Sequence, residues 1–202
     1  MVRVLPAGSL LRRVHRNSRP PEAFNHRARP SRLTGGRFDS CAGDYGYTYL
    51  GVSDESAIAE TLCRGLPLDG VARVVPIHDL FDRSISTVEV TRDLPVLLLH
   101  GPALTQVGAP LALTKCEADE YETTRKWAAS LRSWLPAIAG FQYRPRHDED
   151  QISWVLFDDG PGFVNLRARG ALRPHGAPES LTSGTGLTIV GGVLRRHRAT
   201  LE

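Results

Sequence analysis

The sequence predicts an α+β domain. Strand signals outnumber helix signals, and the two kinds are mixed along the chain. The length, 202 residues, suits one α+β or α/β domain with a real core. Hydrophobic residues make up 41% and charged residues 23%, ordinary globular values that argue against disorder. No internal repeat and no low-complexity linker divides the chain, so residues 1–202 read as one unit.

The elements follow in order. Residues 9–16, Ser-Leu-Leu-Arg-Arg-Val-His-Arg, form a first strand, and residues 17–36, rich in Pro, Asn and Gly, form a loop. Tyr47–Val52 is β-branched and aromatic and reads as a strand. Ser53 stands at a helix N-cap, followed by Asp54 and Glu55, and Ala57, Ile58 and Leu62 supply the apolar face of a helix over about 54–64. Three strands follow, at Val71–Ile77, Ile85–Val90 and Pro95–Leu99. Thr114 with Glu117 makes a capping box for a helix to about Trp134, with Ala118, Tyr121, Ala128, Leu131 and Leu135 near one face. Gly140–Tyr143 and Ile152–Phe157 read as a β-hairpin. Residues 160–185 are turn-rich, and Leu187–Leu194 reads as a last strand entered by the glycine-rich turn Gly184–Gly191.

Composition excludes several classes. No stretch approaches the roughly 18 apolar residues of a membrane span, and the start lacks the long apolar segment of a signal peptide, so export is not expected. Cys41, Cys63 and Cys116 form no CxxC pair and read as reduced thiols. The seven histidines form no close ligand pair, so no metal is expected. Residues 1–37 hold nine arginines against one acid, Glu22. Such a start suits either nucleic acid or the phosphates of a small ligand. Near-absence of lysine also fits a bias of base composition.

The chemistry concentrates in Gly35-Gly-Arg-Phe38, Tyr49-Leu-Gly-Val-Ser53 and Ala57-Ile-Ala-Glu60. A glycine pair lets the backbone turn sharply and approach a ligand, and Arg37 projects from that turn with a fork that fits pyrophosphate. Glu60 sits among apolar residues. A partly buried carboxylate can orient a ribose and stabilise positive charge at its anomeric carbon. Arg13 and His15 face the same way in their strand.

These residues, with Gly140-Phe-Gln-Tyr-Arg-Pro-Arg146 and Ser153–Phe157, resemble the RES-domain family over about residues 11–157. The resemblance implies a fold like that of ADP-ribosyltransferases and a cytoplasmic bacterial toxin that cleaves NAD+ at the nicotinamide–ribose bond by hydrolysis or phosphorolysis, arresting growth. It implies Glu60, Arg37 and Tyr49 as catalytic residues. Arg13, His15, Tyr47, Tyr143 and Arg146 would bind substrate. NAD+ would be substrate, and a helix-turn-helix antitoxin the partner. One departure stands out: Pro145 occupies the position of the family serine, and proline has no hydroxyl. Two alternatives therefore stay open beside the NAD+-cleaving enzyme: a protein-ADP-ribosyltransferase acting on a protein target, and a non-catalytic module holding NAD+, a nucleotide or a protein. Nucleic-acid binding through the arginine-rich start is a further alternative.

Overall fold

The chain opens with two strands, Val2–Leu5 (β1) and Leu10–Arg16 (β2), and in β2 alternation turns Leu11, Arg13 and His15 inward. The computed structural model describes residues 1–30, 35–67, 71–159, 168 and 170–202. Further strands are Tyr45–Gly51 (β3), Arg73–Val75 (β4), Arg83–Val90 (β5), Leu94–Leu98 (β6), Gly140–Tyr143 (β7), Ser153–Asp159 (β8), Leu172–Ser180 (β9) and Ala199–Leu201 (β10). The helices are Asp54–Ile58 (α1), Pro102–Gln106 (α2), Ala112–Lys115 (α3), Tyr121–Trp134 (α4) and Gly184–Arg196 (α5).

Eight strands form one curled mixed sheet in the order β1-β6-β7-β8-β3-β2-β5-β9, and β4 and β10 pair in parallel beside it. Within the large sheet β6 and β7 run parallel and the other pairs antiparallel. The chain is an α+β domain, as composition and pattern predict. Helix α4 lays Ala128 and Leu131 on Phe141, Val155 and Phe157 of the sheet. Helices α1 and α5 pack with Leu80, Ile85 and Leu181 in a separate cluster.

One irregularity positions the site. Strand β2 pairs with β5 along its whole length, from Leu10↔Glu89 to Arg16↔Arg83, but meets β3 in register only at Arg12↔Gly51. Beyond that pair β2 and β3 diverge and the sheet splits. The loop after β2 returns to fill part of the gap, with Asn25 bridging to Tyr47.

Four expectations need correction. Thr114 does not open the long helix: it lies within α3, where its hydroxyl donates to the Leu111 carbonyl at 3.4 Å. The extended backbone of Cys116 breaks the chain after α3, Glu117 precedes a 3₁₀ turn over Ala118–Glu120 that leaves Ala118 exposed, and α4 begins at Tyr121. The helix over 54–64 is not uniform, because α1 passes into a π-helical turn over Ala59–Cys63. Leu187–Leu194 is not a strand but most of α5. Its buried residues Gly186, Val190, Val193 and Leu194 follow helical spacing, although glycines and β-branched residues favour turns and strands. Gly186 serves close packing, since a Cβ there would lie 2.0 Å from the Ser180 carbonyl oxygen. Finally, residues 172–180 of the turn-rich stretch form β9, which pairs with β5. The rest of that reading at 160–167 and 169, like the loop reading at 31–34, lies outside the described residues.

Candidate active site

The split between β2 and β3 opens a cavity of about 570 Å³, within the roughly 300–1,000 Å³ usual for small-molecule sites. One wall is Arg13 to Arg16 of β2, another Tyr47 to Tyr49 of β3, and a third Glu60, Thr61 and Arg64. Seven arginines line it among the described residues, and Glu60 is the one carboxylate. The electrostatics favour an anionic ligand with several charges.

Glu60 reaches this wall because of local helix geometry. Ser53 caps α1 by accepting from the Ser56 N–H at 3.1 Å, and Ser56 and Ala57 turn inward. The π-helical turn then resets the phase and leaves Glu60 half-buried at the cavity. Such turns recur at functional sites. The Ser56 hydroxyl is itself fixed, 2.8 Å from the Ser153 hydroxyl and donating to the Ile152 carbonyl at 2.9 Å.

Tyr47 and Tyr49 share a face of β3, their rings 6.2 Å apart edge to face. The Tyr47 hydroxyl donates to the Arg27 carbonyl at 3.1 Å and accepts from Asn25 Nδ2 at 3.0 Å. Tyr49 lines the cavity and donates its hydroxyl to Asp39 Oδ1 at 2.8 Å. Burial, then the Asp39 charge, push the Tyr49 hydroxyl well above its ordinary pKa, so it stays a donor.

That carboxylate shapes the glycine turn. Asp39 Oδ2 accepts from the Gly36 N–H at 2.7 Å. Gly35 has φ of 89°, and a Cβ on Gly36 would lie 2.5 Å from the Tyr49 hydroxyl. The glycine pair is therefore required by a left-handed turn and a close approach.

Arg37 follows this turn but is not on the cavity wall. It is 1% exposed, packs 5.3 Å from the Tyr121 ring centroid, and donates to the Cys116 carbonyl at 3.3 Å. Its Nε and Nη1 have no hydrogen-bond partner among the described residues. Burial opposes its charge, but Glu60, with Tyr121, Tyr143 and Cys116, outweighs burial and raises its pKa. Tyr143 is also fully buried off the wall, its ring 5.3 Å from Phe38, and burial and then Glu60 raise its pKa. Arg37 and Tyr143 thus lie off the cavity wall yet within the electrostatic reach of Glu60.

Arg13 and His15 line the cavity, as their strand spacing predicts. Arg13 donates to the Pro21 and Ala23 carbonyls and so anchors the returning loop, and burial lowers its pKa to about 10. His15 Nδ1 faces the Arg16 carbonyl at 2.9 Å and Nε2 the Ser86 hydroxyl at 2.8 Å. A carbonyl only accepts, so Nδ1 carries the proton and Nε2 accepts. Burial lowers the His15 pKa, which agrees with a neutral ring.

Arg146 lies apart from the cavity, paired with Glu117 at 2.6 Å. At the position of the missing serine, Pro145 is buried, and its carbonyl and that of Arg144 accept from Lys115 Nζ at 3.1 and 3.0 Å. No group of histidine, cysteine and acid side chains that could hold a metal occurs among the described residues.

Sequence reasoning missed Asp39 and the cavity arginines as a set. An acid three residues after Gly36 is the signal for Asp39. For five of the seven arginines the signal was their crowding before Phe38, whereas Arg64 and Arg83 carry none.

A family model, RES domain, matches residues 10–177. The chain belongs to the RES-domain family. Membership makes it a toxin-like, NAD-related module at the level of the family, whose members generally pair with antitoxins. No curated protein gives a match. No helix among the described residues is long and apolar enough to cross a membrane.

Proposed function

We propose that this RES-domain protein is an enzyme that cleaves NAD+ at the nicotinamide–ribose bond. The observation that carries the reading is Glu60, a half-buried carboxylate facing a cavity whose other charged groups, among the described residues, are arginines. The arginines hold the pyrophosphate, by charge and by forked hydrogen bonds. The tyrosine rings of Tyr47 and Tyr49 pack against the nicotinamide ribose. Glu60 orients the ribose and stabilises the positive charge that develops as the C1′–N bond breaks and neutral nicotinamide leaves. Water or phosphate then captures C1′ and releases a proton to solvent. Arg37 and Tyr143 position Glu60 from off the cavity wall. In the cell the activity would arrest growth, and a helix-turn-helix antitoxin would occlude the cavity.

NAD+ consumption by the purified chain, with and without phosphate and beside Glu60→Gln, tests the reading. Glu60→Gln should lose at least about tenfold in rate. Near-normal cleavage by this variant removes Glu60 from the chemistry.

One observation favours a second reading. Pro145 supplies no hydroxyl, and Lys115 ties down its carbonyl. A non-catalytic nucleotide-binding module would bind NAD+ without consuming it. A protein-ADP-ribosyltransferase would transfer label from NAD+ to a protein in lysate.

A further inference from the structure

The cavity wall carries like charges in direct opposition. Arg16 and Arg83 are cross-strand partners at the last register pair of β2 and β5, and both line the cavity. Arg64, from the end of the π-helical turn, joins them on the wall. Like charges directly opposite on a sheet destabilise it unless something lies between them. The nearby acids are Asp79 and Asp82. Asp82 reaches Arg16 at 3.8 Å across an exposed edge, and Asp79 lies 3.9 Å from His78. Burial, and then the balance of Asp79 and Asp82 against Arg16 and Arg64, leaves the Arg83 pKa lowered. Its charge is thus under-compensated. Three guanidiniums on the wall of one cavity, two of them from directly paired residues, match a dianion with several acceptor oxygens.

We propose that Arg16, Arg64 and Arg83 form a subsite for a phosphomonoester dianion, distinct from the arginines that would hold a pyrophosphate. The proposal rests on the nucleotide reading only for which molecule carries that phosphate. Two sources share the chemistry: a 2′-phosphate on the dinucleotide, and free inorganic phosphate.

Calorimetric titration of the full chain with NAD+, NADP+ and inorganic phosphate separates them. The variants are Arg83→Gln and, because Arg83 is half-buried, the exposed Arg16→Gln, each checked by thermal melting. If the nucleotide carries the phosphate, NADP+ binds about tenfold tighter than NAD+, and both variants abolish that preference. If phosphate is free, NADP+ and NAD+ bind alike, and phosphate binding weakens about tenfold in both variants. Phosphate binding that depends on these arginines without any dinucleotide binding keeps the subsite and removes the nucleotide reading. NAD+ binding with neither NADP+ nor phosphate sensing the substitutions keeps the nucleotide reading and overturns the subsite.

Discussion

The Tyr49 hydroxyl donates to the Asp39 carboxylate at 2.8 Å while it accepts from the Phe38 backbone N–H at 2.9 Å. This one group ties the β3 wall of the cavity to the turn that precedes Arg37. Tyr49→Phe keeps the ring and removes both bonds, leaving a backbone donor and a buried acceptor short of a partner. A stability loss of about 1–3 kcal/mol is expected, read as a lower midpoint in urea at unchanged slope. An unchanged midpoint means water replaces the hydroxyl.

Gly36→Ala probes the same junction from the other side. The added Cβ would lie 2.5 Å from the Tyr49 hydroxyl and 2.7 Å from Asp39 Oδ1. Neither group can swing aside without breaking the Tyr49–Asp39 bond. The expected cost is about 1–3 kcal/mol by overpacking. In the double variant with Tyr49→Phe the cost should shrink, since the nearest clashing atom is gone. Strict additivity in a double-mutant cycle argues against the coupling.

The parts of this site that were legible in the sequence are those made by near neighbours in the chain. Gly35-Gly36-Arg37 announces its turn, and Ser53 announces α1. Alternation puts Arg13 with His15 and Tyr47 with Tyr49. The cavity itself was not legible, because it exists only where β2 and β3 part after Arg12↔Gly51. Arginines spread from Arg13 to Arg83 share its wall through tertiary contacts alone. The phase of Glu60 depends on a π-helical turn that simple helical spacing does not contain. Helix α5 was misread for a different reason: its glycines and β-branched residues carry turn and strand preferences, which packing against Ile85 and Leu181 overrides.

Arg37→Met separates stability from function. The guanidinium is buried with two nitrogens unpartnered among the described residues, a desolvation cost that methionine does not bear. Glu60, half-buried at the cavity, keeps access to water. Glu60 and the neighbouring groups more than offset that desolvation cost, so the melting temperature should fall, and NAD+ cleavage by the protein that remains folded should fall by about tenfold or more. Cleavage lost only in step with unfolding shows that Arg37 is chiefly structural, and unchanged cleavage by the folded variant shows that Glu60 works without it.

His147 makes stability depend on pH. Its Nε2 lies 3.2 Å from the Arg64 carbonyl, so that nitrogen bears the proton, and its Nδ1 faces Arg73 Nη2 at 3.2 Å as an acceptor. Burial first, with Arg146, Arg73 and His197 adding positive charge, lowers its pKa from 6.5 to about 4, despite the opposing pull of the Arg64 carbonyl. The folded protein therefore holds His147 neutral where the unfolded chain protonates it. Between about pH 4 and 6.5 the unfolded state binds more protons, so stability falls as pH falls through this window. His197, lowered by burial, slopes the same way despite Asp148, 3.9 Å away. Melting temperatures from pH 7.5 downward should decline, and His147→Gln, which has no proton to take up, should flatten part of the decline. A slope identical in the variant and the wild type would assign the pH response to His197, His15 and His100 instead, whose pKa values burial also lowers. Protonation would leave the Nε2 bond to the Arg64 carbonyl in place and set Nδ1 against Arg73, and in the folded protein it happens only near pH 4, so His147 gives NAD+ cleavage no pH dependence of its own in this window while the chain stays folded.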